Sequence, residues 1–146
     1  MPTYKITTKP KKLSDEQKDR IAEYITRVHS EVTGAPSYYA QMIFDESDYR
    51  RYIGGKVSNA QIWIRADIRS GRTIEQRKTL VQKVLEGVSK IAEVPISDVW
   101  VYLNNLEAYD MAEFGQILPE PGKEQEWFEA LSPELQKELL KLRDRK

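Results

Sequence analysis

One pattern occurs twice in this chain, and the repeat restricts the fold more than any other feature. Ser14-Asp15-Glu16-Gln17 and Thr73-Ile74-Glu75-Gln76 each set a hydroxyl side chain three residues before a glutamine. At that spacing the hydroxyl accepts from a backbone N–H of the first helical turn, and the glutamine reaches back to the capping residue's own N–H. Ile21, Ile25, Val28 and Val32 follow the first box, and Leu80, Val81, Val84, Leu85, Val88 and Ile91 follow the second. Both sets fall on one helical stripe. Thr33-Gly34-Ala35-Pro36 stops the first helix.

Strand compositions flank both helices. Residues 2–8 (PTYKITT), 38–45 (YYAQMIFD), 61–68 (QIWIRADI) and 99–103 (VWVYL) are rich in β-branched or aromatic side chains. In the third, Ile62, Ile64, Ala66 and Ile68 share one face. The order strand–helix–strand, connection, strand–helix–strand is a duplicated β-α-β unit. Each crossover is long enough to join parallel strands. The expected fold class is α/β: a four-stranded sheet with two helices on one face and an extended C-terminal segment. The uncovered face then needs a partner, such as further subunits.

At 146 residues the chain has the length of a single domain. Repeat 1 is expected over about 2–46, repeat 2 over about 61–103, and a C-terminal arm with helices over 104–146. The polar stretch 46–60 holds Gly54-Gly55 and suits a small hairpin. Residues 104–122 form a long connection with little periodicity, of the kind used for lids and arms. Residues 123–130 suggest a short helix. Ser132-Pro133 starts a last one, striped by Leu135, Leu139 and Leu142.

Composition removes several chemistries. The chain has no Cys and a single His. Thiol catalysis, disulfide frameworks, Cys zinc sites and His-rich metal sites are therefore excluded. Lys and Arg total 23 and so do Asp and Glu, so net charge gives no pull toward nucleic acid or an acidic membrane. Apolar runs fall far short of the ~20 residues a membrane helix needs. Met-Pro-Thr-Tyr-Lys at the start is not an apolar leader. A cytoplasmic location is expected.

Five places can carry chemistry, and each also has an ordinary structural reading. Trimming of Met1 would leave Pro2 as a secondary amine near neutrality, since α-amino groups titrate at ~7.7–8.0. Such a group is a general base when neutral and a general acid when protonated. Otherwise Pro2 simply begins a strand. Arg69 and Arg72 flank Ser70-Gly71 at the C-terminal end of the third strand. There two guanidiniums and a helix start can clamp a carboxylate, or be two solvated turn residues. His29, beside Val28, is either a ligand to substrate or a satisfied edge residue. Tyr102 and Glu113 could hold and deprotonate a water, or be a packed ring and a surface carboxylate.

Taken in order, the residues resemble a known family. A short duplicated β-α-β chain beginning Met-Pro is similar to the tautomerase superfamily. The likeness narrows with several further motifs. These are Thr26-Arg27-Val28-His29, Arg69-Ser70-Gly71-Arg72, Trp100-Val101-Tyr102, Met111-Ala112-Glu113-Phe114-Gly115, Leu118-Pro119-Glu120-Pro121-Gly122 and Glu126-Trp127-Phe128. They resemble the branch of cis-3-chloroacrylic acid dehalogenase and its close homologues, from Pro2 to about Leu131.

The resemblance implies a homotrimer acting on a small carboxylic acid, without a cofactor. It implies that protonated Pro2 delivers a proton to the carbon next to the carboxylate. Arg69, Arg72 and His29 bind that carboxylate, and Tyr102 and Glu113 activate water. The implied product of a cis-3-haloacrylate is malonate semialdehyde with halide, and propiolate hydration, with or without decarboxylation, belongs to the same chemistry. A neutral Pro2 would instead make a keto–enol tautomerase of 2-oxo acids such as phenylpyruvate. A third reading is a non-catalytic trimeric binding protein.

Overall fold

Both capping boxes form, and each ties its helix to the other. The computed structural model describes residues 2–58 and 61–143. Helix α1 spans Asp15–Thr33 and α2 spans Ile74–Ala92. Ser14 and Thr73 accept from the backbone N–H of Gln17 and Gln76, whose side chains return to the caps. Gln17 Nε2 also donates to Ile91 O at the far end of α2, and Gln76 Nε2 to Val32 O at the far end of α1, both at 3.1 Å. Carbonyls at a helix end lack intrahelical donors, so each start relieves the other helix's finish. Ser30 Oγ to Ala35 O and Ser89 Oγ to Val94 O repeat the same turn, each at 2.7 Å.

The strands are β1 (Thr3–Thr8), β2 (Gln41–Glu46), β5 (Ile62–Arg69) and β6 (Val99–Leu106), in sheet order β2-β1-β5-β6. β1 runs parallel to β2, and β5 parallel to β6, so both crossovers behave as the repeat demands. β1 and β5 are antiparallel, with Thr3 opposite Asp67. The sheet is therefore mixed. Tyr4, Ile6, Ile62, Ile64, Ala66 and Ile68 are buried beneath the two helices with Ile21, Ile25, Leu80, Val84 and Val88. The opposite face carries Lys5, Ile43, Arg65, Trp100 and Tyr102, all exposed. Between the repeats, β3 (Arg51–Ile53) and β4 (Lys56–Ser58) form the expected hairpin around Gly54-Gly55.

Three expectations change. The stretch 38–45 is not strand throughout: Ser37–Tyr39 is a 3-10 turn and pairing starts at Gln41. Pro36 precedes the turn, and Tyr39 is buried in a second apolar cluster rather than paired in the sheet. β6 continues past 103 because β5 offers partners as far as Arg69, opposite Leu106. Residues 104–122 are structured: a 3-10 turn at Ala108–Asp110 leads to a hairpin of β7 (Ala112–Glu113) and β8 (Gln116–Ile117). Phe114 and Gly115 both have positive φ, the geometry of a tight two-residue turn.

Helices α3 (Glu124–Glu129) and α4 (Pro133–Arg143) close the chain. Trp127, Leu131 and Leu139 join Tyr39, Ala108 and Leu118 in the second cluster, whereas Leu142 is exposed. No helix among the described residues is long and apolar enough to cross a membrane.

Gly87 of α2 seats the ring of Tyr24 from α1. A Cβ built there would stand 2.0 Å from Cε1 of Tyr24, whose hydroxyl donates to Lys83 O at 2.9 Å. Gly87→Ala must push the ring out of this seat, and overpacking of this kind costs ~1–3 kcal/mol. The expected outcome is a Tm lower by several degrees in a thermal melt. An unchanged Tm would mean that Tyr24 swings away freely.

Candidate active site

The site lies at one end of the sheet, where β5 and β6 finish and β1 begins. The antiparallel register that pairs Thr3 with Asp67 brings Pro2 to the end occupied by Arg69. Pro2 is buried, and its carbonyl accepts from Gln41 N at 2.9 Å. Arg69 is the last residue of β5, and Ser70 N continues the ladder to Leu106 O at 2.7 Å. Gly71 then turns with φ +103°. A Cβ there would lie 2.7 Å from Pro121 Cγ, so glycine serves both the backbone geometry and the approach of the C-terminal arm.

The two arginines have different surroundings. Arg69 is buried; its Nη1 donates to Pro119 O at 2.6 Å and its Nη2 to Glu124 Oε1. Its Nε is buried without a hydrogen-bond partner among the described residues. Burial alone would raise the Glu124 carboxyl, but the Arg69 hydrogen bond and nearby backbone N–H groups outweigh it and hold it low. Arg69 is thus paired with a carboxylate of its own chain. Arg72 has no such ion pair among the described residues; its Nη1 donates to Arg69 O at 3.0 Å. Burial, then the neighbouring Arg69 charge, lowers its pKa. Together with Tyr39, Gln76, Pro119 and Trp127 the arginines line a cavity of about 360 Å³.

His29 lies inside the molecule rather than at the edge of the helix stripe, with 2% of its surface exposed. Its Nδ1 is 2.8 Å from the Tyr4 hydroxyl, and its Nε2 is buried without a partner among the described residues. Burial first, and then the Arg72 charge, lowers its pKa to about 3. His29 is therefore neutral at physiological pH.

The unfolded chain takes up a proton on histidine near pH 6.5, whereas the folded one does so only near 3. Between those values the unfolded state binds more protons, so stability falls as pH drops through that window and levels off below it. The slope attributable to His29 is about 1 kcal/mol per pH unit. Urea melts from pH 7 to pH 4 should show a shallower decline for His29→Gln. An identical decline would mean that His29 is protonated in the fold.

Glu113 ends β7 and, with Thr3, Tyr38, Tyr39 and Gln41, lines an adjoining cavity of about 590 Å³. Burial raises its carboxyl above the usual range. Tyr39 lines both cavities. Its phenol is also raised, chiefly by burial and then by a hydrogen bond with Tyr38.

Tyr102 is elsewhere. It is exposed on the open face of the sheet and meets Trp63 edge-on, with ring centroids 5.9 Å apart. It sits opposite Arg65, itself opposite Lys5. Strand spacing and rise put it ~14 Å from Pro2 along and across the sheet. One chain thus gathers Pro2, His29, Arg69 and Arg72 at one end with Glu113 in the next cavity, and leaves Tyr102 out. Sequence reasoning missed Tyr4, Tyr39 and Glu124. A core tyrosine, a tyrosine in a stretch read as strand and a helix-starting glutamate have no spacing that marks them.

The arrangement defines a class: a duplicated β-α-β protein with an arginine-lined cavity at the end of the sheet where a buried Pro2 leads into β1. Residues 1–131 match a family model described as a putative oxalocrotonate tautomerase enzyme. A crystal structure of a member of the cis-3-chloroacrylic acid dehalogenase family is 36% identical, with a TM-score of 0.89, covering 95% of this chain and 99% of that one. A fused 4-OT, described as a wild-type asymmetric trimer, is 21% identical with a TM-score of 0.72, over 79% of this chain and 94% of that one. MIF2 of Leishmania major is 14% identical with a TM-score of 0.65, over 80% and 96%. These last two show likeness of fold alone. No curated protein matches the chain. The chain belongs to the tautomerase superfamily, in the branch of the cis-3-chloroacrylic acid dehalogenase family.

Proposed function

We propose that the protein is a cofactor-independent hydratase and dehalogenase of small unsaturated carboxylic acids, with Pro2 as general acid. The observation that carries this reading is the pairing of Arg69 with Glu124 beside an Arg72 that has no ion pair among the described residues. Two cations next to Pro2 would drive the proton off its amine. Glu124 cancels one of them, and Glu113 adds negative charge in the adjoining cavity. The balance favours a protonated Pro2, which is an acid. That amine forms once Met1 is removed.

Arg72, assisted by His29, takes the substrate carboxylate, and Arg69 holds the floor of the cavity. Their charge stabilises the enolate that develops as water attacks. Glu113 takes a proton from water, the hydroxyl oxygen bonds to the β-carbon, and Pro2 gives its proton to the α-carbon. With a cis-3-haloacrylate the resulting halohydrin releases halide and a proton and leaves malonate semialdehyde. Propiolate would be hydrated by the same groups.

The exposed sheet face and the position of Tyr102 both suit a homotrimer, in which Tyr102 of one copy completes the site of another. The whole chain, arm included, then acts as one domain. A neutral Pro2 would turn the same residues into a 2-oxo acid tautomerase.

The test is a proton NMR time course of Met-free protein with cis-3-chloroacrylate, propiolate and the enol of phenylpyruvate in parallel. Malonate semialdehyde or acetaldehyde from the first two supports the proposal. Ketonisation of the enol with both acids untouched would replace it with the tautomerase reading.

A further inference from the structure

We propose that Tyr4 is a positioning residue that fixes His29 in the tautomer carrying its proton on Nε2. Tyr4 is fully buried, and its hydroxyl has one hydrogen-bond partner among the described residues, His29 Nδ1 at 2.8 Å. A phenol has a single proton to give. If Nδ1 held the imidazole proton, Tyr4 would accept it, and the phenol's own proton would be stranded in an apolar core. A buried donor without an acceptor is costly. Donation from Tyr4 to Nδ1 satisfies both atoms of the pair and leaves only Nε2–H without a partner among the described residues, whereas the other tautomer leaves both the phenol proton and the Nε2 lone pair unmatched. The imidazole proton then belongs on Nε2.

The surroundings agree. Burial keeps the phenol proton in place. His29 is buried, so its imidazole has little room to rotate, and the Tyr4 ring stands edge-on to it with centroids 5.8 Å apart. Nε2 is the ring atom without a partner among the described residues, and the Arg72 charge acts on the same ring. His29 is thereby a neutral N–H donor, suited to an anionic oxygen and unable to accept a proton at that atom. The use of this donor on a substrate carboxylate rests on the function proposed above; the tautomer itself does not.

The chain's only histidine makes the test direct. Nitrogen-15 NMR of the labelled wild-type protein at pH 7 reads both ring nitrogens without assignment. The expected spectrum shows Nε2 protonated and Nδ1 bare. A protonated Nδ1, or both nitrogens protonated, overturns the proposal whatever the enzyme turns over. In Tyr4→Phe the Nε2–H to Nδ1–H ratio should fall about tenfold, the size of one lost hydrogen bond. An unchanged ratio in a folded variant also overturns it. Should Tyr4→Phe fail to fold, the wild-type spectrum still decides.

Discussion

Pro2→Ala is expected to keep the fold and lose about 10²–10⁴-fold in turnover, the usual worth of a placed general acid. Alanine at the same position still offers a primary amine after Met1 is removed. What it lacks is the ring, which fixes the nitrogen's direction from a buried strand start, together with the higher basicity of a secondary amine. The Pro2 carbonyl accepts from Gln41 N, and alanine keeps that bond. The melting temperature should therefore move little while turnover collapses. Rates on cis-3-chloroacrylate and propiolate, measured beside a thermal melt, separate the two. Unchanged rates would take Pro2 out of the mechanism.

Glu113→Gln is the second large effect, and its direction differs between reactions. Gln cannot take a proton from water, so hydration should fall by about 10²–10⁴-fold. Loss of the carboxylate also removes the negative charge that helps Pro2 stay protonated, which lowers the proline pKa. That change favours a base. Ketonisation of a 2-oxo acid enol should then fall by less than about tenfold, or even rise. Parallel rate measurements on propiolate and phenylpyruvate enol give the comparison. Equal losses in both would mean that Glu113 only supports the hairpin.

Much of the fold was legible because the repeat is written in residues with mechanical roles. Ser14 and Thr73 cap, Gln17 and Gln76 return, and the apolar stripes between them can face only one sheet. The arm was less legible. Its turn depends on Phe114 in a left-handed conformation, which no spacing announces, and its cluster draws on Tyr39, Leu118, Trp127 and Leu139 from separate segments. Pro2, Arg69, Arg72 and Glu113 could be singled out as candidates from the sequence because a terminal amine, a guanidinium or a carboxylate carries chemistry. The partners that tune them could not. Glu124 neutralises Arg69 from far along the chain, and Tyr4 reads as core. His29 looked like an edge residue because a helical stripe shows which face is apolar, not how deep it lies.

The hydration mechanism requires Pro2 to carry a proton at neutral pH. Its most direct test is a nitrogen-15 NMR titration of Met-free protein labelled at proline. Pro2 is distinguished from the other prolines as the only one whose nitrogen titrates. The expected midpoint lies above the ordinary α-amino range of ~7.7–8.0, with the amine protonated at pH 7. A midpoint well below 7 would contradict it, because Pro2 would then be a base and the hydration chemistry would lose its acid.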